Sequence, residues 1–292
     1  MKLAVIDIGS NAIRFQVTNI LQYRGVDHFK RLEYVRFPLR LGHDVFTSGR
    51  LRPQSIEKFH KLMKAFSLLI ELYEVDHYMA CATSAMREAE NGKMVTDEIQ
   101  QQSGLEIHII DGSEEARLIN KAIAENLDTK LSYIHIDVGG GSTELNLIRQ
   151  GELIGSKSFQ IGSVRHMDDL DSPEIWVEIK NWITGASDTK ELRTAIGTGG
   201  NINKLFELGG KLKGETMTLS ELMEVQEMLL GTTAEDRVYK LQLNPDRADV
   251  IIPASEIYVA VMQQGGINEI VVPDVGLKDG MIKMLYEQHR VI

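Results

Sequence analysis

Cysteine is all but missing from the 292-residue chain, and the single Cys81 rules out an intrachain disulfide and a cysteine-rich zinc site. It lies within Tyr78-Met79-Ala80-Cys81-Ala82 and reads as a small buried hydrophobe. Long apolar runs are missing too, since no uncharged stretch nears the roughly 18 residues of a membrane span. The N-terminus enters the strand-like Leu3-Ala4-Val5-Ile6-Asp7 at once, without the long uncharged segment of a signal peptide, so a cytoplasmic protein with no membrane partner is expected. Walker A, G-x-G-x-x-G and H-E-x-x-H patterns are all lacking, which disfavours P-loop, Rossmann and zinc-protease chemistry. The eight histidines show no metal-ligand spacing, and His135, inside an apolar strand, is expected to be a satisfied core residue. Trp176 and Trp182 share one predicted helix and are expected to pack.

A net charge of -10 argues against nucleic acid as a general partner. The average conceals an asymmetry. Residues 1–64 hold twelve Lys/Arg against five acids, so that segment is near +7 and the remainder near -17. A basic region on an acidic protein can focus an anionic ligand, although a solvated charged face would look the same. With 43% apolar residues and no low-complexity segment, the chain can bury a large core in two domains.

Strands are predicted at 3–8, 13–20, 28–37, 77–82, 106–110, 132–137, 144–149, 152–161 and 269–273. Ile56, Phe59, Met63, Phe66, Ile70 and Tyr73 recur at helical spacing after Pro53, giving one long amphipathic helix whose stripe is core. Further helices are expected from Asp111, where Asp111 and Glu114 are spaced as a capping pair, and at 173–184 behind Ser172-Pro173. Two more are expected at 219–230, with a Thr218/Glu221 capping box and Gly231 as stop, and at 254–264 before Gly265-Gly266. Hairpins followed by alternating helices and strands indicate an α/β protein with mixed sheets.

A loose internal repeat carries the most information. Leu3-Ala4-Val5-Ile6-Asp7-Ile8-Gly9-Ser10-Asn11 resembles Tyr133-Ile134-His135-Ile136-Asp137-Val138-Gly139-Gly140-Gly141. Each is an apolar strand ending in Asp-x-Gly, then a small-residue turn, then an alternating strand, which predicts two related lobes facing each other across a cleft. Asp7 and Asp137 at the strand ends can project into it. Glycines after each let backbone N–H groups approach an anion, and Ser10, Asn11, Ser142 and Thr143 add short donors. The pattern suits a phosphate chain together with a hard cation held by carboxylates.

Several segments carry a resemblance to a known family. Ile6-Asp7-Ile8-Gly9-Ser10-Asn11, Ala82-Thr83-Ser84-Ala85-Met86-Arg87, Asp111-Gly112-Ser113-Glu114-Glu115-Ala116 and Ile136-Asp137-Val138-Gly139-Gly140-Gly141-Ser142-Thr143-Glu144 resemble the exopolyphosphatase/guanosine pentaphosphatase (Ppx/GppA) family. Gly197-Thr198-Gly199-Gly200, Arg247-Ala248-Asp249 and Gly276-Leu277-Lys278-Asp279-Gly280 continue the match in order along almost the whole chain. The resemblance implies two RNase H-like lobes of the actin, sugar kinase and Hsp70 ATPase superfamily. The expected division is 1–122, with the C-terminal helix 278–292 returning to it, and 123–277, with hinges near 120–130 and 276–280 that let the lobes open and close.

The same resemblance assigns roles. Glu115 matches the family's catalytic glutamate, which orients and deprotonates water. Adjacent helical residues point about 100° apart, so Glu114 can serve the helix start while Glu115 faces the site. Asp137 and Glu144 match acidic positions for catalysis and Mg²⁺, with Asp7 a further metal ligand. Arg87 is implied to contact phosphate oxygens, as are Gly9, Ser10, Asn11, Gly139, Gly140, Gly141, Ser142, Thr143 and Gly199. Arg14 and Arg165 stay open between site and solvated face. Asn201 and Ala12 depart from the family pattern, which blurs fine side-chain assignments and any nucleotide preference. The implied activity is Mg²⁺-dependent release of orthophosphate from the ends of inorganic polyphosphate, with guanosine pentaphosphate as the alternative substrate. A sugar-kinase-like or actin-like ATPase and a non-catalytic polyphosphate or alarmone sensor are the other readings. A homodimer is compatible with the sequence.

Overall fold

A computed structural model describes residues 1–185, 194–212 and 214–290, and the chain divides into two compact units, Met1–Ala122 with Leu277–Ile292, and Ile123–Gly276. None of the described helices is long and apolar enough to cross a membrane.

In the first unit β1 (Lys2–Ile8), β2 (Ile13–Tyr23) and β3 (Val26–Phe37) form an antiparallel meander, while β4 (His77–Ala82) and β5 (His108–Ile109) add in parallel beyond β1. The sheet order is β3-β2-β1-β4-β5. Helices α1 (Leu41–Ser48) and α2 (Pro53–Leu72) lie between β3 and β4, α3 (Ser84–Glu88) and α4 (Gly92–Ser103) between β4 and β5, and α5 (Gly112–Ile123) after β5. On α2 the predicted stripe is the core face. Phe59, Met63 and Phe66 are fully buried, and Phe66 stacks on Phe15 of β2 at 4.7 Å between ring centroids. Each such buried side chain contributes roughly 1.5–3 kcal/mol of apolar transfer, enough to fix the helix on the sheet.

The second unit repeats the plan. Strands β6 (Ser132–Val138), β7 (Thr143–Arg149) and β8 (Glu152–Phe159) are antiparallel, and β9 (Thr194–Thr198) runs parallel to β6. Next come β10 (Thr216–Thr218) and β11 (Glu269–Val271), giving the order β10-β11-β9-β6-β7-β8. Without the extra β10 this is the order of the first sheet, the ribonuclease-H-like arrangement. Helices α6 (Ser163–Met167), α7 (Ile175–Gly185), α8 (Gly200–Leu208), α9 (Leu219–Leu230), α10 (Ala234–Tyr239), α11 (Pro245–Ala248) and α12 (Ile251–Gly265) complete the unit. The last helix, α13 (Leu277–His289), belongs to the first unit and packs on β1. Its Gly280 lets it approach α5 closely: a Cβ there would lie 1.8 Å from the Leu118 carbonyl oxygen.

The repeat is longer than the sequence suggested. Both sheets join their second and third strands by a tight turn with two left-handed residues, Arg24-Gly25 and Gln150-Gly151, the geometry that matches the twist of a hairpin. Both carry a bulge between those strands, at Val17/Thr18 and Leu147/Ile148.

The capping box of α9 has both reciprocal bonds between Thr218 and Glu221. Other expectations shift. Helix α7 starts at Ile175, because Ser172 binds the Glu174 side chain and accepts from the Ile175 amide. Strand β9, the short helices α1, α10 and α11, and helices α4 and α8 lie where the sequence predicts no element.

Candidate functional site

The two Asp-x-Gly segments fold alike. Gly9 N–H donates to Ala12 O at 3.2 Å, and Gly139 N–H donates to Ser142 O at 2.9 Å, closing each turn. In the second unit the turn carbonyls point away and are taken up by α6. Gly139 O accepts from Ser163 N–H, Gly140 O from Val164 and Arg165 N–H, and Gly141 O from Arg165 Nε at 2.9 Å. No described group accepts from the amides of Gly140, Gly141 or Ser142, which leaves three successive N–H donors, the kind of group an anion takes. Glycine at 162 makes the docking of α6 feasible, since a Cβ there would lie 2.6 Å from the backbone of Gly140 and Gly141. The first unit docks α1 the same way. Ser10 O accepts from Gly42 N–H and Asn11 O from Arg40 N–H, with Gly42 crowded against Ser10.

Beside the second turn, Asp137 and Glu144 are cross-strand partners, so both side chains leave one face of the sheet. Glu144 is 2% exposed, and its Oε1 accepts from Ser142 Oγ at 2.6 Å and Ser158 Oγ at 2.9 Å. Gly199, at φ +100°, passes so close that a Cβ would be 3.1 Å from Asp137 Oδ1, and α8 begins immediately after it. Gly200 is covered by the Arg247 guanidinium, 2.7 Å from where its Cβ would sit.

Behind these acids lies a buried polar layer. His135 Nε2 bonds Thr198 Oγ1 and its Nδ1 bonds Asn146 Nδ2, each at 2.8 Å, and burial pushes the imidazole down to about 3, so it is neutral and structural, as the strand pattern predicts. Tyr258 of α12 donates to Thr198 O at 2.8 Å and lies 3.3 Å from Ile136 O, spanning β6 and β9. Burial, then the charges of Asp137 and Glu144, hold its phenol protonated.

The counterpart pair in the first unit is Asp7 and Arg14, cross-strand partners joined by an ion pair of 2.8 Å. Ser10 Oγ is 2.8 Å from Ser84 Oγ at the start of α3. Arg87, at the end of that helix, donates to Ile110 O at 2.7 Å and lies 3.6 Å from Glu115 Oε2. Asp111 caps α5 through the Ser113 and Glu114 amides, so Glu114 stays at the helix start and pairs with Arg117 at 3.9 Å. Glu115, one position on, is 8% exposed. The two glutamates thus diverge as helical geometry requires. Nearby Cys81 is buried, and burial followed by the charges of Glu114, Asp7 and Glu115 pushes its thiol up to about 12, leaving it unreactive at neutral pH.

Two of these side chains have partners within the chain itself. The Thr143 hydroxyl donates to Ile161 O at 2.6 Å and ties the turn to the segment just after β8. Asp7 has a cationic neighbour in Arg14. Arg165 is 8% exposed, braces the glycine turn, and does not lie on a solvated face. Ser158, Ser163, Gly42, Gly162 and Tyr258 escaped sequence reading. The paired segments Leu39-Arg40-Leu41-Gly42 and Phe159-Gln160-Ile161-Gly162 are the sequence signal for the two glycines.

Comparisons with known proteins agree with this architecture. Exopolyphosphatase 2 of Mycobacterium tuberculosis is 25% identical, with 96% of this chain and 97% of that protein covered. Guanosine-5'-triphosphate,3'-diphosphate pyrophosphatase of Aeromonas hydrophila is 24% identical over 96% of this chain, covering 58% of its own length. The crystal structure of an exopolyphosphatase from Cytophaga hutchinsonii shares the fold, with a TM-score of 0.85, 22% identity and 99% of each chain covered. The model of the Ppx/GppA phosphatase family matches residues 22–289, and this chain belongs to that family.

Proposed function

We propose that this protein hydrolyses the terminal phosphoanhydride bond of inorganic polyphosphate, releasing orthophosphate in a Mg²⁺-dependent reaction. The observation that carries this reading is the glycine turn of the second unit, whose carbonyls are engaged by α6 while its amides stay available to phosphate oxygens. The Asp137–Glu144 pair beside it supplies an all-oxygen donor set, the kind a hard cation takes. Among the described residues no group of three His, Cys, Asp or Glu could hold a metal unaided. That suits Mg²⁺, which binds through one or two carboxylates and takes its other ligands from phosphate and water. When bound, Mg²⁺ neutralises charge on the phosphoryl oxygens.

The remaining roles fall to the chain's own groups. Glu115 accepts the proton as the water oxygen attacks the terminal phosphorus, and the bond to the bridging oxygen breaks as the shortened chain leaves. Arg87, held by Ile110 O, keeps a permanent positive charge next to Glu115 and is suited to phosphate oxygens. The twelve cationic residues of the first 64 favour a long polyanion over a nucleotide with few phosphates.

Orthophosphate release by the wild type and Glu115→Gln, with Mg²⁺, on polyphosphate, guanosine pentaphosphate and ATP tests the proposal. Glu115→Gln is expected to slow release by about 10²–10⁴-fold, the range of a lost general base, with polyphosphate binding kept. Full activity in Glu115→Gln removes that residue as the base. Faster release from guanosine pentaphosphate transfers the reading to the alarmone, and binding without turnover makes the protein a sensor.

A further inference from the structure

Strand β3 spans Val26–Phe37 at the end of its sheet, and among the described residues no strand pairs with its outer side. Long unprotected end strands are templates for pairing, and proteins usually blunt them. This one keeps Val26, Phe29, Tyr34 and Phe37 between 37% and 57% exposed.

The bulge determines which of its residues share a face. Val17 pairs with Glu33 and Thr18 with Arg31, so Leu32 is the extra residue. Alternation therefore changes step at Leu32. Asp27, Phe29, Arg31, Tyr34 and Arg36 fall on one face, and His28, Lys30, Glu33 and Val35 on the other. Contacts agree: Asp27 and Phe29 meet Tyr286 of α13, while Glu33 accepts from Tyr73 at the end of α2.

Now let a second β3 run antiparallel, with a two-fold axis between Arg31 and Leu32. Asp27 then stands opposite Arg36, His28 opposite Val35, Phe29 opposite Tyr34 and Lys30 opposite Glu33, and symmetry gives each pair twice. Each of these four pairs joins residues of the same face, which an unbulged strand could not achieve about this axis. Both acids oppose a base, an aromatic opposes an aromatic, and no like charges stand opposite, the pairings that stabilise neighbouring strands. Sliding the copy by two residues in either direction leaves no Lys or Arg opposite an Asp or Glu. The equivalent end strand of the other unit, β8, offers one such pair, Glu152 with Lys157, against the two of β3.

We propose that β3 is a homodimer interface, pairing two copies of this chain antiparallel about Arg31–Leu32 into one continuous sheet. Charge self-complementarity of the strand selects a second copy as the occupant.

The full-length chain can be tested by light scattering and sedimentation, with circular dichroism to follow folding. The wild type is expected at twice its 32.8 kDa mass. Lys30→Glu and Glu33→Lys each place like charges opposite one another at two symmetric positions, so each alone should dissociate with an affinity loss of about tenfold or more. Mixed together, the two variants should recover the wild-type mass, because Lys30→Glu in one chain meets Glu33→Lys in the other. Recovery on mixing also shows that both variants fold. If Glu33→Lys does not fold, Lys30→Glu against the double swap Lys30→Glu/Glu33→Lys decides. A wild type that stays monomeric at its highest soluble concentration overturns the proposal, and so does a Lys30→Glu variant that dimerises like the wild type.

Discussion

At the end of the first strand of each sheet an aspartate meets a cross-strand partner: Arg14 beside Asp7, Glu144 beside Asp137. The backbone around them is nearly the same, with the same turn bond, a helix docked on the turn carbonyls and a glycine at the point of contact. The charges are opposite. In the first unit the acid is neutralised by a guanidinium at 2.8 Å. In the second, two carboxylates share a face, an arrangement that favours a cation between or beside them. One repeated frame therefore sets an acid against a base in the first unit and an acid against an acid in the second, and the difference is a single partner residue.

The largest test of this contrast changes that residue. Glu144→Arg gives the second unit the pairing of the first, and under the proposed function it should lower orthophosphate release by about 10²-fold or more and abolish its dependence on Mg²⁺, read by a Mg²⁺ titration. Arg14→Gln should leave the Mg²⁺ midpoint in place. If both variants shift the midpoint equally, the two positions are not functionally distinct.

Next in size is the helix docking. Gly162→Ala drives a methyl into the backbone of Gly140 and Gly141, and a loss of about 1–3 kcal/mol is expected, seen as a lower Tm. Gly42→Ala should lose less, because its nearest neighbours are side-chain atoms of Phe46 and Ser10. Equal losses would show that side-chain adjustment is no easier in the first unit.

The smallest effect is with pH, and it centres on a histidine of the second unit. His166 of α6 meets Asp171 at 3.0 Å and Glu256 of α12 at 3.3 Å. Its bond to Glu256, and then that to Asp171, raise the imidazole to about 9 against partial burial. Because the folded value lies above the unfolded 6.5, this stabilisation is complete below pH 6.5 and is lost as pH rises through about 9. Buried His135 acts in the opposite sense: its contribution is complete above pH 6.5 and is lost as pH falls toward 3. Melting curves from pH 6 to 10 should show Tm declining across the upper window, and His166→Gln should flatten that decline. An unchanged slope would remove His166 as the clamp on α6.

Local signals were strong wherever chemistry and periodicity lay close together in the chain. The stripe on α2 follows from three- and four-residue spacing, the α9 cap from Thr218 and Glu221, and the two Asp-x-Gly turns from their repeated pattern. Helices α4 and α8 and strand β9 left weaker marks, because short or mixed segments are decided by the sheet and core they join. Thr143 shows what residue type alone leaves open: which acceptor a hydroxyl beside a glycine turn takes, here Ile161 O.

The sequence by itself determined the two-lobed α/β plan, its internal repeat, the family and the short list of acids and glycines. These are properties of neighbours along the chain: alternation, helical spacing, turn residues and motif order. Only the tertiary structure decided that Arg14 stands against Asp7 and Glu144 against Asp137, that α6 takes the glycine carbonyls and leaves the amides, and that Tyr258 spans β6 and β9. Strand register and helix docking depend on contacts between residues up to 259 positions apart, which no local pattern encodes.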